Sequence, residues 1–195
     1  MSKRSVIEWS VIIGIILVLM LTGWHRPVIV YMQRALIYTG LLAPSTEKPG
    51  VVDHSGVYDL TLRDEYGNLI SLSDMRGQVI FINLWATWCP PCRAEMPGIN
   101  NLYQKVQNDK LSYVILTTEQ DFGKARDYKA KEGFDFPIYQ LAGSLPPIYR
   151  DRSIPRSYVI SQEGKLIFEH SGLADYDSRK FREFLGTALA GTNEQ

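Results

Sequence analysis

The chain of 195 residues has only two cysteines, three histidines and no excess of charge of either sign. Because 21 Lys and Arg residues balance 21 Asp and Glu residues, no basic surface is indicated, and we expect no nucleic-acid partner. The histidines, His25, His54 and His170, are scattered, and no second Cys-x-x-Cys accompanies Cys89 and Cys92. The four ligands of a zinc site are therefore missing, and we expect no metal.

Long hydrophobic runs are also rare, and the longest is residues 6–24, in which Glu8 is the one charge. As a helix this run would span roughly 28 Å at about 1.5 Å per residue, close to the thickness of the hydrocarbon layer of a bilayer. Trp9 and Trp24 lie near its two ends, where interfacial aromatic residues are common. We therefore expect residues 1–24 to be a single-pass membrane anchor.

A cleaved signal peptide is the alternative interpretation of this run. It requires a small-x-small cleavage site, which the following HRPVIVYMQR does not offer, and a lipoprotein would require a cysteine there. Lys3 and Arg4 favour a cytoplasmic N-terminus, although Arg26 and Arg34 beyond the run weaken that bias. The remainder of the chain is then expected on the periplasmic side of a bacterial cell membrane.

Residues 25–50 are expected to be a stem or linker. Within them PVIVYMQRALIYTGLLA is apolar, but Gln33 and Arg34 in its middle argue against a second span. A helix in the membrane interface and an extended hydrophobic stem both stay open. The stretch PSTEKPG that follows has the composition of a linker, so a soluble domain is expected over residues 51–195.

The soluble domain shows an alternation of strand and helix patterns. The predicted order is a hairpin, then β-α-β-α, then β-β-α, which indicates an α/β fold with a mixed central sheet flanked by helices. The predicted elements are a hairpin over 57–72, a buried strand over 79–86, a helix from Pro90, a strand over 112–118, a helix over 121–133, a hairpin from 157 and a helix over 176–190.

The cysteine pair lies in ATWCPPC, at the expected start of a helix. A bridge between Cys89 and Cys92 closes too short a loop to stabilise the fold much, and Pro90 and Pro91 suit the first helical turn. A thiolate at a helix N-terminus faces free N–H groups and the positive end of the dipole, which lower its pKa. We therefore expect Cys89 to be the more exposed nucleophile and Cys92 the resolving thiol, with two inert buried cysteines as the alternative.

Two further features complete a resemblance. WCPPC after a buried strand, with Pro97 five residues later, resembles the thioredoxin fold, and Ile154-Pro155 before a strand resembles its cis-proline loop. SDMRGQVIFINLWATWCPPCRAEMP resembles the membrane-anchored TlpA/ResA-like thiol-disulfide oxidoreductases, which include the thioredoxins of cytochrome c maturation and also carry an N-terminal hairpin. The resemblance covers residues 57–189.

The resemblance implies which residues meet the substrate. A disulfide-containing protein would bind across Trp88, Pro90, Pro91 and the Ile154-Pro155 loop, and Pro97 would bend the active-site helix. The redox-active disulfide would serve in place of any cofactor.

One position departs from ordinary thioredoxins, which have a buried aspartate six residues before the first cysteine. Here that position is Asn83, for which we expect a structural hydrogen-bonding role. Glu95, about one helical turn after Cys92, is shared with the TlpA/ResA-like group, in which the glutamate assists proton transfer. A solvated surface carboxylate is the alternative for Glu95.

The expected function is reduction of protein disulfides outside the cytoplasm, with apocytochrome c as a candidate substrate and a membrane thiol-electron transporter as reductant. A disulfide-forming oxidant or isomerase of the same fold is the alternative. The Pro-x-x-x-Thr-x-x-Cys pattern of peroxidases is absent, since Ile82 and Ala86 fill those positions. A non-catalytic binding module is disfavoured by the intact cysteine pair.

Overall fold

A computed structural model describes residues 3–22, 25–39, 42–46, 56–149 and 153–191 of the chain. Its centre is a mixed sheet of seven strands in the order β2-β1-β5-β4-β3-β6-β7. β3 is parallel to β4 and antiparallel to β6, so it lies in the interior of the sheet. The strands are β1 Thr61–Arg63, β2 Leu69–Ser71, β3 Val79–Trp85, β4 Leu111–Thr117, β5 Ile138–Leu141, β6 Arg156–Ile160 and β7 Leu166–Ser171.

In the described part of the chain, five α-helices accompany the sheet. They are α1 Lys3–Thr22, α2 His25–Tyr38, α3 Pro90–Lys105, α4 Phe122–Glu132 and α5 Arg179–Leu189. Side chains of α3, α4 and α5 share one hydrophobic cluster with Phe81 and Trp85 of β3. Ile80, Ile82 and Leu84 point to the opposite face, where the segment before β1 and two short 3-10 helices cover them. Because both faces of β3 are buried, its sequence is almost continuously apolar.

Most of the predicted elements are confirmed, but β5 was missed. Only four residues long and half-buried, it follows Pro137 without a clear alternation, so its sequence carries little strand signal. Its pairing with β4 on one side and β1 on the other makes it a strand. The predicted helix over 176–190 begins later, at Arg179, because the Ser178 hydroxyl caps it by accepting from the Phe181 N–H.

The N-terminal region forms two helices. In the described part of the chain no helix by itself has the length and apolarity needed to cross a membrane; Ile7–Thr22 and Pro27–Ile37 meet that requirement only as a pair, bent by 102°. The expectation of an extended stem is wrong for His25–Tyr38, which is helical because its inner side chains pack on the domain. Trp24 and the boundary expected near residue 51 lie outside the described residues.

Helix α2 is attached to α3. Val30 and Ile37 are buried and share a small cluster with Ala94 of α3, against which Leu42 and Leu173 also pack. The Asp175 N–H donates to the Leu42 carbonyl at 2.9 Å, which holds the segment after α2 on the domain as well.

Candidate active site

The site begins where β3 ends. The Thr118 N–H donates to the Trp85 carbonyl at 2.9 Å, which joins the ends of β3 and β4. Beyond it, the Thr87 N–H and hydroxyl both donate to the Glu119 carboxylate, the former at 2.9 Å. Glu119 is buried, so this pairing fixes the loop that leads into the cysteines.

Cys89 is the N-cap of α3, and Pro90 and Pro91 occupy its first two positions. The Cys92 N–H donates to the Cys89 sulfur at 3.3 Å, and the two sulfurs are joined in a disulfide with a Cα–Cα distance of 5.3 Å. Cys89 is 3% exposed and Cys92 is fully buried. The first cysteine thus lies at the positive end of the helix dipole, where a negative sulfur is stabilised.

The surface around the disulfide is mainly apolar. Trp88 is 65% exposed, and Pro90 and Pro91 are partly exposed beside it. The Ile154-Pro155 peptide bond is cis, as the resemblance implied, and Ile154 packs against the hydrophobic cluster that contains both cysteines. The structure thus brings the loop before β6 and the start of α3 to one region of the surface.

A buried polar cluster centred on Asn83 lies against α3, one helical turn after Cys92. Its Nδ2 donates to Glu95 Oε1 at 2.8 Å and to Ser157 Oγ at 2.9 Å. Asn83 and Ser157 are paired across β3 and β6, while Glu95 projects from α3. All three side chains are buried, so the expectation of a solvated surface carboxylate at Glu95 is wrong. Its position on the inner side of α3 turns it toward the sheet.

Burial raises the pKa of Glu95 to about 8, although the hydrogen bond from Asn83 and the nearby backbone N–H of Ala174 act in the opposite direction. Burial also raises the pKa of Tyr176 well above its usual value, and the neighbouring Glu95 adds to that rise. Among the described residues Glu95 Oε2 has no hydrogen-bond partner. That oxygen is therefore available to take up and release a proton.

Pro97 lies inside α3 and removes a helical hydrogen bond to the carbonyl one turn earlier. Since proline has no N–H, the Arg93 carbonyl cannot receive the helical hydrogen bond from residue 97. Arg34 of α2 donates to that carbonyl from Nη2 at 3.3 Å, and the same nitrogen lies 3.3 Å from Glu132 Oε2. Arg34 of α2 thus supplies a hydrogen bond to a carbonyl of the active-site helix that Pro97 leaves without its usual donor.

Sequence reasoning missed three residues of this region: Glu119, Ser157 and Tyr176. The sequence does contain a signal for Glu119, because this residue follows the buried strand β4. In open α/β sheets, ligand sites lie at the carboxyl ends of the parallel strands, so a polar residue there is a candidate site residue. Ser157 and Tyr176 reach the cluster through cross-strand pairing and through the packing of the loop before α5, and neither has a local sequence signal.

Three comparisons with known proteins agree with this geometry. The AhpC/TSA family model matches residues 55–168. ResA, a thiol-disulfide oxidoreductase of Bacillus thuringiensis subsp. konkukian, is 30% identical over 115 residues, which are 58% of this chain and 66% of that relative, slightly less than two thirds of it. The thioredoxin-like protein YneN of Bacillus subtilis is 30% identical over 131 residues, 66% of this chain and 76% of YneN.

The fold has solved counterparts. The crystal structure of StoA from Bacillus subtilis superimposes with a TM-score of 0.54 at 24% identity, covering 64% of this chain and 94% of StoA. This match extends the agreement from sequence to architecture: a thioredoxin-like mixed sheet flanked by helices.

Proposed function

This chain belongs to the AhpC/TSA family and its thioredoxin-like domain is that of a thiol-disulfide oxidoreductase, and from this premise we propose that the protein reduces disulfides of other proteins outside the cytoplasm. The observation that carries the proposal is the Cys89–Cys92 pair at the N-terminus of α3 above a buried carboxyl group of raised pKa.

The first step is nucleophilic attack by Cys89. Its thiolate attacks one sulfur of the substrate disulfide; a mixed disulfide forms, the substrate S–S bond breaks, and the second substrate sulfur leaves as a thiolate that takes a proton from solvent. The helix dipole and the Cys92 N–H, which donates to the Cys89 sulfur, stabilise the Cys89 thiolate before attack. Cys89 is the more exposed of the two cysteine residues, in keeping with this role.

The second step is resolution by Cys92. Its thiol loses its proton to the Glu95 carboxylate, attacks Cys89 and forms the intramolecular disulfide, while the first substrate sulfur leaves. Two electrons have passed from the dithiol to the substrate, and Glu95 holds one proton. A pKa of about 8 in the oxidised protein fits this state, because the carboxyl group then stays largely protonated at neutral pH.

Regeneration reverses these steps with a different partner. A membrane thiol-electron transporter supplies two electrons as a dithiol, and Glu95 returns its proton to the Cys92 sulfur as the bond opens. Asn83 positions the carboxyl group for both directions through its hydrogen bond to Oε1. No metal or organic cofactor is required, since the disulfide itself carries the electrons.

The substrate surface in this proposal comprises Trp88, Pro90, Pro91 and the Ile154-Pro155 loop. Ile154 immediately precedes Pro155 and β6, where an extended substrate segment would pair with its backbone as an added strand. The apolar side chains around the disulfide favour an unfolded or extended target, and apocytochrome c, with its paired cysteines, is our candidate.

The proposed location is the outer surface of a bacterial cell membrane, with residues 1–24, which include α1, as the anchor. Large apolar residues are exposed at many positions between residues 7 and 21 of α1, including Ile7, Val11, Leu17 and Leu21, so water is a poor solvent for this helix. A reductant outside the cytoplasm needs electrons delivered across the membrane, because that compartment is oxidising. Anchoring keeps the protein close to such a donor.

A peroxidase is not supported. Peroxide reduction by the related pattern needs a proline and a threonine at positions where this chain has Ile82 and Ala86, both buried and without a hydroxyl group.

The direction of electron flow is tested by trapping thiols in living cells with an alkylating reagent. We expect Cys89 and Cys92 to be mostly reduced in unstressed cells and to become oxidised when the membrane electron transporter is disrupted. A pair that is mostly oxidised in unstressed cells would identify a disulfide-forming oxidant instead. Purified protein should also accelerate reduction of insulin by dithiothreitol, whereas a non-catalytic binding module would give no acceleration.

A further inference from the structure

Helix α2 has two sides of different character. The side that faces the domain consists of Val30, Gln33, Arg34 and Ile37, which are buried or half-buried. The other side is exposed and is called the outer face below; it consists of Pro27, Val28, Ile29, Tyr31, Met32, Ala35 and Leu36. At about 100° per residue the outer face occupies an arc of roughly 200°.

Every side chain that the structure describes on the outer face is apolar or aromatic. Tyr31 and Met32 are 68% and 69% exposed, and no charged or amide side chain occurs among its members. The two polar residues that made this segment a poor candidate for lipid contact, Gln33 and Arg34, lie on the inner side instead. A contiguous exposed apolar surface of this kind is unusual on a soluble domain and marks a contact with another apolar phase.

The position of α2 identifies that phase as lipid. Only residues 23 and 24 separate α2 from α1, the helix proposed as the anchor, and the two helices are bent by 102°. A helix nearly perpendicular to a membrane-crossing helix, and starting where that helix ends, runs along the bilayer surface. Tyr31 suits the headgroup region, since its ring is apolar and its hydroxyl is polar.

The attachment of α2 to the domain connects this surface to the active-site helix. Arg34 donates to the Arg93 carbonyl that Pro97 leaves without a helical partner, and Val30 and Ile37 pack with Ala94. Arg93 and Ala94 lie four and five residues after Cys89, which is about 6 to 8 Å along a helix axis. Whatever holds the outer face of α2 therefore also orients the end of α3 that carries the dithiol.

We propose that the outer face of α2 lies in the boundary between headgroups and acyl chains of the bilayer and holds the dithiol end of the domain in a fixed orientation at the membrane surface, an inference that rests on the proposed anchoring role of α1. The domain then does not swing freely on a flexible stem. Its reactive end is presented repeatedly in one orientation to a membrane-embedded electron donor.

The test places the photoreactive residue p-benzoylphenylalanine at Met32 of the full-length protein in vesicles of phosphatidylethanolamine and phosphatidylglycerol. Matched positions are Val11 in α1 and Tyr66 at the tip of the β1–β2 hairpin, both of which are exposed. After irradiation, mass spectrometry identifies lipid or protein adducts. We expect lipid adducts from positions 11 and 32 and none from position 66.

Each other result has a distinct meaning. If lipid adducts form at position 11 but not at position 32, the inference about α2 is wrong and the membrane anchor stands. If no lipid adducts form at either position, the anchor is wrong as well. Adducts at 32 that contain only protein replace the lipid surface with a protein interface. Equal lipid labelling at 32 and 66 overturns the fixed orientation, because a freely tumbling domain would label both.

A charge substitution provides a second measurement. Leu36→Glu introduces a carboxylate into the outer face, one turn from position 32, and should abolish lipid adducts at 32 while leaving those at 11 unchanged. Tyr66→Glu is the control and should change neither. Insulin reduction should be the same in both variants, since neither residue contacts the disulfide. If the wild-type protein did not reduce insulin, that result would argue against the proposed function and would leave the lipid contact of α2 unaffected.

Discussion

Asn83 of β3 donates from Nδ2 to Oε1 of Glu95 on α3 across 2.8 Å, in the buried space between the middle of the sheet and the active-site helix. An amide and a carboxyl group thus share the position near the cysteines where ordinary thioredoxins have a single aspartate. The amide cannot change its charge, so all proton exchange in this cluster falls to Glu95, and its environment decides at which pH that exchange occurs.

The raised pKa of Glu95 predicts a pH-dependent stability of the oxidised protein. Glutamate has a pKa of 4.5 without the fold's influence and about 8 in the folded protein. Between these values the folded state binds more protons than the unfolded state, so stability falls as pH rises, by up to about 1.4 kcal/mol per pH unit. The contribution is complete below pH 4.5 and is lost as pH passes through 8.

Glu95→Gln should remove this dependence, because glutamine keeps the shape and does not titrate. Urea unfolding of the oxidised wild-type and variant proteins at a series of pH values measures the difference, in which other titrating groups cancel. Parallel curves for the two proteins would contradict a raised pKa at Glu95.

The hydrogen bond from Asn83 predicts a shift in the same titration. Asn83→Ala removes a donor that favours the charged form of Glu95, so the pKa of the carboxyl group should rise further, by about one unit for a hydrogen bond to a charged group. The carboxyl resonance of Glu95, followed by NMR against pH, reports the midpoint.

Ser157→Ala is the matched control for Asn83→Ala. It removes the second acceptor of Asn83 Nδ2 and leaves the bond to Glu95 in place, so a smaller shift is expected. A pKa that falls in Asn83→Ala would show that water entering the cavity outweighs the lost donor.

The helix positions of the two cysteines predict different behaviour in trapping experiments. Cys92→Ser should accumulate mixed disulfides through Cys89, because attack is retained and resolution is lost. Cys89→Ser should accumulate almost none, since Cys92 is fully buried. Non-reducing electrophoresis with mass spectrometry identifies the adducts. Faster iodoacetamide modification of Cys92 than of Cys89 in the reduced wild-type protein would reverse the assignment.

The contact between Arg34 and the Arg93 carbonyl predicts a coupling with Pro97. Arg34→Met keeps the aliphatic stem and removes the donor, and should cost about 1 to 2 kcal/mol in the unfolding of the detergent-solubilised chain. Arg179→Met, at a largely exposed arginine, should cost little.

A double-mutant cycle isolates that coupling. In a Pro97→Ala background the N–H of residue 97 can donate to the Arg93 carbonyl, so Arg34→Met should cost less there than in the wild-type protein. Equal costs in the two backgrounds would mean that Arg34 stabilises the chain through its other contacts, with Glu132 and the Tyr31 ring, and not through the Arg93 carbonyl.

The sequence by itself determined the features that depend only on residues close together in the chain. The apolar run of β3 predicts a strand buried on both faces, and Cys89-Pro90-Pro91-Cys92 predicts a helix start with Cys89 at its N-terminal end. Both follow from local rules: periodicity, and the tolerance of proline in the first helical turn. The Ile154-Pro155 loop was recognised by its resemblance to the cis-proline loop of the thioredoxin fold.

Tertiary structure decided the features that depend on partners distant in the chain. β5 is a strand only because β4 and β1 pair with it, and Glu95 titrates near pH 8 only because α3 packs that side chain against Asn83 of the sheet. The orientation of α2 was likewise undecided in the sequence. Arg34 faces the domain because the Arg93 carbonyl and the Glu132 carboxylate accept its hydrogen bonds, and these partners are 59 and 98 residues away in the chain. Burial and hydrogen-bond partners are properties of the assembled fold, and a local pattern cannot specify them.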